Sequence, residues 1–128
     1  MVLLLVGVLW IVPERLPDIQ SAEPDSYGEA VAAVEARVAS DAGDSALNPD
    51  CLERAYLHDE PTEKVIVLYH GFTSCPKQFD PLATQLFEDG YNVLVPRQPR
   101  HGVADRLTRD LRYLTADELL ATTAETVA

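Results

Sequence analysis

Several functional signatures are absent from this 128-residue sequence. It contains no C-x-x-C or H-E-x-x-H metal spacing, no G-x-G-x-x-G dinucleotide motif, no internal repeat and no low-complexity tract. Basic residues are few, because 10 Lys and Arg stand against 21 Asp and Glu and give a formal net charge of −11. This acidic balance argues against binding to nucleic acid and to anionic membrane surfaces. We therefore expect an acidic, solvated surface and no metal, cofactor or nucleic-acid partner.

A hydrophobic run long enough to cross a bilayer is also missing. The apolar run Val2–Val12 has eleven residues, whereas a transmembrane helix needs about 20. It has the length of a signal-peptide core or of the end of an anchor, although no Lys or Arg precedes it. Trp10 could anchor it at a membrane interface, and Gln20-Ser21-Ala22 is a poor cleavage site. These features favour an uncleaved anchor over a cleaved signal, with a buried strand or helix as the third alternative. The protein is expected to be membrane-anchored or exported.

The chain divides into three segments in sequence order. The apolar segment 1–12 comes first, and residues 13–50 hold a proline-containing linker, one helix and a polar loop. Residues 51–128 alternate between strand and helix patterns, which is typical of the α/β class. The length allows one small domain.

Two capping boxes predict helix starts, one in the segment 13–50 and one near the end of the segment 51–128. Ser26 with Glu29, and Thr115 with Glu118, place a hydroxyl and a carboxylate where they can satisfy free N–H groups at a helix start. The first predicts a helix over Glu29–Ala39, with an apolar side formed by Val31, Val34 and Val38. The second predicts a helix with an apolar side formed by Leu119, Leu120, Thr123 and Val127.

The stretch Lys64–Gly102 has the order strand, turn, helix, strand and loop. Val65–Tyr69 is a continuous β-branched and aromatic run, which is typical of a strand buried on both faces of a parallel sheet. Tyr91–Val95 is a second apolar strand. A unit this short predicts a right-handed parallel crossover.

The helix between these strands has its own start and stop signals. Asp80 is expected to cap it, with Pro81 at the first position, and Gly90 stands where a C-terminal glycine belongs. Its apolar face is predicted to contain Phe79, Leu82, Ala83, Leu86 and Phe87.

A further short strand is predicted before this unit. Leu52–Leu57 is the candidate, and the polar turn His58–Glu63 would let it form an antiparallel hairpin with Val65–Tyr69. We expect His58 in that turn to be solvated. The fold class is therefore α/β, with an antiparallel hairpin leading into a parallel βαβ unit.

The turn after the first buried strand is the candidate site. Ligands of such sheets meet the carboxyl ends of the strands, and His70-Gly71-Phe72-Thr73-Ser74 lies at that end. Gly71 would let the chain bend or approach a ligand closely. Fixed N–H groups in the turn could stabilise an oxyanion during acyl transfer. A nucleotide-binding domain is a poorer fit, because it needs phosphate-cradling glycines.

The run LYHGFTSCPKQFDPLATQLFEDGYNVLVPRQPRHG resembles the amino-terminal part of an α/β-hydrolase, in the group of esterases, monoacylglycerol lipases and serine aminopeptidases. The resemblance covers roughly residues 52–128. It implies that the Phe72 N–H belongs to the oxyanion hole, with His70 and Gly71 supporting the turn. The family's later loop often ends in Gly-His-Gly, and here it reads Arg100-His101-Gly102.

The resemblance also implies an enzymatic function for which this sequence lacks some of the catalytic residues. The substrate would be a small-molecule carboxylic ester or a lipid-like molecule, contacted by Thr73, Ser74 and His101. The serine motif G-x-S-x-G is absent, because no two glycines are four residues apart. We therefore expect an incomplete sheet from the amino-terminal part of an α/β-hydrolase fold, inactive by itself. The alternative is a non-catalytic binding module or pseudoenzyme.

Cys51 and Cys75 are the only cysteines. In a hairpin their positions would lie at the same sheet edge, and an export-like segment permits a disulfide. Such a bond would close a loop worth about 3 kcal/mol in the chain-entropy model. Two free thiols are the alternative. Neither Cys75 nor Ser74 has the strand–elbow surroundings of a nucleophile.

Positive charge is concentrated between Pro96 and Arg112. The cluster consists of Arg97, Arg100, His101, Arg106, Arg109 and Arg112. It could receive an anionic substrate, but ordinary surface ion pairs with Asp105 and Asp110 are the favoured interpretation.

Overall fold

The computed structural model describes residues 24–127. They form a small α/β unit with a three-stranded mixed sheet and three α-helices. The predicted anchor Val2–Val12, the candidate cleavage site and most of the linker lie outside the described residues. Within residues 24–127, no helix is both long and apolar enough to cross a membrane.

The sheet has the order β1-β3-β2. The strands are β1 (Arg54–Tyr56), β2 (Val65–Val67) and β3 (Asn92–Val95). β3 pairs parallel with β2, which confirms the predicted parallel unit, and antiparallel with β1. The predicted hairpin between β1 and β2 is wrong, because residues 57–64 carry the chain across the sheet and leave the central position to the apolar β3.

The central and edge strands differ in burial. All four residues of β3 are buried, whereas Val65 at the start of β2 is 55% exposed and the rest of that strand is half-buried. The prediction that the Val65 strand is buried on both faces is therefore wrong. Its apolar composition is that of an interior strand, but its outer side has no neighbouring strand among residues 24–127.

The helices are α1 (Tyr27–Gly43), α2 (Asp80–Glu88) and α3 (Ala116–Val127). Both predicted helix starts are confirmed by side-chain caps. Ser26 Oγ accepts from the Glu29 N–H at 3.3 Å, and Thr115 Oγ1 accepts from the Glu118 N–H at 3.2 Å. Short 3₁₀ turns lie at Pro49–Cys51, Pro76–Phe79 and Asp110–Tyr113.

The predicted cap of α2 by Asp80 is wrong. A 3₁₀ turn runs directly into this helix, so the Asp80 backbone is itself helical (φ −49°, ψ −47°) and its carboxylate caps nothing. The carboxylate lies instead 3.0 Å from Arg54 Nε on β1. The predicted end is confirmed, because Gly90 has φ +93° and its N–H bonds to Phe87 O at 2.9 Å.

α2 packs on one face of the sheet and forms the main core. Ala83 on the helix and Val93 and Val95 on β3 have no exposed surface. Tyr56, Leu68, Phe79, Leu86, Phe87 and Tyr91 pack around them. Leu82 is 47% exposed, so its predicted place on the apolar face is wrong.

α1 and the end of α3 lie over the opposite face. They enclose a groove of about 440 Å³ against side chains of β2 and β3, including Val65, Val67 and Leu94. Val34 of α1 is buried, and the neighbouring Val31 and Val38 are half-buried, as predicted for the apolar side of this helix.

A buried polar group attaches α1 to the sheet. Asn92 is 1% exposed. Its Oδ1 accepts from the His58 N–H at 2.8 Å, and its Nδ2 donates to the Tyr27 hydroxyl at 3.0 Å. That hydroxyl donates to His58 O at 2.6 Å. His58 is half-buried and stacks on Phe87 with ring centroids 4.2 Å apart, so the expectation of a solvated histidine is wrong.

We predict that Asn92→Leu lowers the free energy of unfolding by about 2 kcal/mol. The leucine would leave the His58 N–H and the Tyr27 hydroxyl without their buried partner. Urea denaturation measures the loss. Tyr27→Phe is the smaller matched change and should lose about 1 kcal/mol. Equal losses in the two variants would contradict a central role for Asn92.

Candidate oxyanion site

Two loops meet at the carboxyl ends of the parallel strands β2 and β3. The first, which we call the oxyanion turn, is His70–Cys75, and the second is the loop Arg97–Gly102. The Gln98 N–H donates to His70 Nε2 at 3.2 Å, and the Gln98 side-chain amide donates to His70 O. Sequence reasoning missed Gln98, since a glutamine in a loop has no motif of its own.

The protonation of the His70 ring follows from its neighbours. Nε2 accepts a backbone N–H, so it carries no proton, and Nδ1 donates to Gly71 O at 3.0 Å. The side chain is 3% exposed. Burial, chiefly, lowers the pKa of His70, and the nearby His101 and Arg97 add to this against the opposing bond to Gly71. His70 is therefore a neutral structural group of the turn.

The oxyanion turn is closed by its own backbone. The Ser74 N–H donates to Gly71 O at 3.0 Å, so this carbonyl accepts from both Ser74 and His70. The Phe72 N–H makes no hydrogen bond to any residue within 24–127, and the Phe72 side chain is 58% exposed. The Phe72 N–H is therefore an unengaged donor at the carboxyl end of β2, as are the neighbouring N–H groups of Gly71 and Thr73, in a turn that other groups hold.

The remaining predicted contact residues have different surroundings. Thr73 is exposed, and Ser74 is half-buried with its hydroxyl donating to Gln78 Oε1 at 2.5 Å. The chain does turn at Gly71, where the Ser74 N–H closes the turn, but the φ of Gly71 is not positive, so this bend does not require a glycine. An added Cβ would meet nothing within 4 Å, so its open side keeps the close-approach role as a prediction.

His101 lies beneath Phe72 and is 3% exposed. Its Nε2 lies 2.9 Å from Phe72 O, and its Nδ1 lies 2.9 Å from Pro99 O. The ring meets the rings of Phe72 and His70 edge-on, at centroid distances of 5.7 and 4.9 Å. Its polar atoms therefore face main-chain carbonyls of the protein, and a ligand in the crevice would meet Phe72 first.

A disulfide joins Cys51 and Cys75, with the Cα atoms 5.1 Å apart. The hairpin from which we expected their proximity does not exist, so another geometry brings them together. Cys51 ends the 3₁₀ turn Pro49–Cys51, which contacts the turn that opens at Pro76. The disulfide thus fixes the far end of the oxyanion turn.

Gly102 packs the second loop against this disulfide. Its φ is +77°, and a Cβ at this position would lie 3.1 Å from Cys51 O and 2.9 Å from the Arg97 side chain. Arg100, which stands where the resemblance expects a glycine, also has a positive φ of 62°. Its side chain bonds to Glu118 of α3 at 2.9 Å.

The arginines of the loop have partners that the sequence did not indicate. Arg97 donates from Nη2 and Nε to the carboxylate of Asp41 at 2.7 and 2.8 Å, and Asp41 is only 8% exposed. The hydrogen bond to Asp41, chiefly, raises the pKa of Arg97. The expected partners Asp105 and Asp110 are wrong for Arg97 and Arg100, because helices distant in sequence supply the carboxylates.

No group of His, Cys, Asp or Glu side chains within residues 24–127 is arranged to hold a metal ion. What the two loops can do is present a fixed backbone N–H to a ligand. Such a donor stabilises negative charge without changing its own protonation.

We predict that Gly102→Ala lowers the free energy of unfolding by about 2 kcal/mol, because it strains a left-handed backbone and crowds the disulfide. Urea denaturation measures the change. Gly71→Ala is the matched control, with open space and no positive φ, and should cause no loss. A Gly102→Ala variant as stable as that control would contradict the packing described here.

We also predict a histidine-dependent loss of stability in acid. The pKa of His70 is lowered from the ordinary 6.5 in the folded chain, so the unfolded chain binds the proton first as the pH falls. The contribution of neutral His70 to the free energy of unfolding is therefore fully present above its pKa in the unfolded chain. It is lost as the pH falls through its pKa in the folded chain. Thermal melts of wild type and His70→Gln from pH 7.5 to 5 measure it. As the pH is lowered, the melting temperature of the wild type should fall more steeply than that of His70→Gln. Equal slopes of melting temperature against pH would contradict this prediction.

In a comparison with known proteins, no protein-family model, curated protein or solved structure matches this chain.

Proposed function

We propose that this chain is the amino-terminal part of a serine hydrolase of the α/β-hydrolase fold, acting on carboxylic esters or lipid-like substrates. The observation that carries the proposal is the Phe72 N–H, which is unengaged within the described residues, in a turn that other contacts hold. A substrate carbonyl placed there would become an oxyanion when a serine attacks it, and the N–H would hold its negative charge.

The surroundings of Phe72 support this role. Gly71 leaves open space beside the N–H, with nothing within 4 Å of the position where a Cβ would stand. The turn is fixed at one end by its bonds to Gln98 and at the other by the Cys51–Cys75 disulfide. A donor whose position is set before the substrate arrives costs no reorganisation during the reaction.

The nucleophile, acid and base would come from outside these 128 residues. The chain contains no G-x-S-x-G, and each of its three histidines has a ring nitrogen within hydrogen-bonding distance of a main-chain carbonyl. The outer side of β2 has no neighbouring strand among residues 24–127, and Val65 is 55% exposed there. A further parallel strand with the serine at its carboxyl end would pair at this edge, beside the oxyanion turn.

The same proposal places the enzyme outside the cytoplasm. The disulfide is of the kind that persists in oxidising compartments. The apolar run Val2–Val12 would serve as an anchor or export segment.

A second candidate is a non-catalytic module with a hydrolase-like sheet. The observation that favours it is that the imidazoles are engaged by the protein backbone, which is the expected state in a domain that has only a structural use for them. Its ligand would then bind along the open edge of β2.

The test uses the full-length product of the gene that encodes this chain, with the gene sequenced on both sides. We expect a reading frame with G-x-S-x-G after α3, and labelling of that serine by a fluorophosphonate probe. A stop codon directly after Ala128, together with no labelling, would overturn the enzyme proposal and favour the module.

In the active protein, we predict that Phe72→Pro lowers kcat for a p-nitrophenyl ester by about 100-fold, because proline removes the N–H donor. Phe72→Ala keeps the N–H and is the matched control, expected to retain most of kcat. Thermal melting of both variants checks that the turn still folds. Equal activity of the two variants would contradict the oxyanion role of this N–H.

A further inference from the structure

We propose that His101 is a positioning residue, which sets the orientation of the Phe72 peptide groups by holding the Phe72 carbonyl and ring from beneath. Its importance for a reaction rests on the function proposed above, but its hold on the turn does not. The inference starts from the 2.9 Å contact between His101 Nε2 and Phe72 O.

Phe72 has little else to hold it. Its N–H makes no hydrogen bond within residues 24–127, and its side chain is 58% exposed. The hydrogen bond that closes the turn joins the Ser74 N–H to Gly71 O and involves neither the N–H nor the carbonyl of Phe72. His101 contacts Phe72 at two points, the carbonyl and the ring edge, so rotation about the Phe72 backbone would break both contacts.

The His101 ring is suited to this task because it is itself held firmly. The ring projects from a backbone that is fixed on both sides. The backbone N–H of His101 donates to Gln98 O at 3.1 Å, and the backbone carbonyl of His101 accepts from Arg97 Nη1 at 3.1 Å. Arg97 is in turn held by two bonds to the buried Asp41. The orientation of Phe72 is thereby linked through three residues to the last turn of α1.

The chemistry of the contact requires a donor. A carbonyl oxygen only accepts, so Nε2 must carry a proton to bond to Phe72 O. In the neutral ring Nδ1 then carries none, and its 2.9 Å contact with Pro99 O is not a hydrogen bond. Phenylalanine at position 101 would keep an aromatic edge but provide no donor. Glutamine would keep an N–H donor on a flexible side chain.

The chain offers a matched control for this contact. His58 Nε2 lies 3.2 Å from Phe87 O, which is the same pairing of a histidine with a phenylalanine carbonyl. It lies in the connection between β1 and β2, on the side of α2 and away from the oxyanion turn. His58→Phe removes the same type of bond without touching Phe72.

The experiment measures amide hydrogen exchange at Ser74 by NMR in the full-length protein, with kcat and KM for a p-nitrophenyl ester. His101→Phe should raise Ser74 exchange by up to about tenfold over wild type and over His58→Phe. It should lower kcat by between about tenfold and 100-fold, with KM nearly unchanged. His101→Gln should recover part of both effects.

Two results would overturn the inference. The first is Ser74 exchange in His101→Phe equal to that in His58→Phe. The second result applies even if His101→Phe fails to fold. It is a folded His101→Gln variant whose Ser74 exchange rate and kcat are identical to those of His101→Ala. If the wild type hydrolyses no ester, the proposed function fails, and the exchange comparison still decides the inference.

Discussion

The ion pair between Asp41 and Arg97 is the interaction on which the rest of the site depends. Asp41 lies in the last turn of α1 and accepts two bonds from Arg97 and a third from the Glu53 N–H at 2.9 Å. Arg97 donates a further bond to His101 O. Removing either partner would leave the other charged and poorly solvated. One pair thus joins a helix, the start of β1 and the second loop of the site.

Two series of contacts connect this ion pair to the oxyanion turn. One passes through the loop Arg97–Gly102, where Gln98 and His101 meet His70 and Phe72. The other passes through the disulfide, against which Gly102 is packed. A turn without regular secondary structure is therefore held by side chains and a covalent bond. This arrangement fixes the turn and leaves the Phe72 N–H without a hydrogen-bond partner among residues 24–127.

The parts of the fold that were predicted correctly depend on local sequence. The α1 and α3 caps and the end of α2 at Gly90 follow from residues close together in the chain. The parallel pairing of β2 with β3 follows from the order strand, helix, strand. Two of the wrong predictions concern partners, because β1 pairs with β3 and Asp80 pairs with Arg54. Others concern burial, as for Val65 and Leu82. Hydrophobic periodicity indicates that a strand exists, but it carries no information on which strand lies beside it.

The sequence by itself determined the helix and strand elements, the turn at Phe72 and the lack of a serine elbow, because each is a pattern within a few residues. Only the tertiary structure decided that Gln98 and His101 hold that turn and that Asp41 engages Arg97. Those contacts join residues between 28 and 56 positions apart. Polar side chains have no periodicity that reveals such partners, since a loop residue acquires its role from whatever the fold brings within hydrogen-bonding distance.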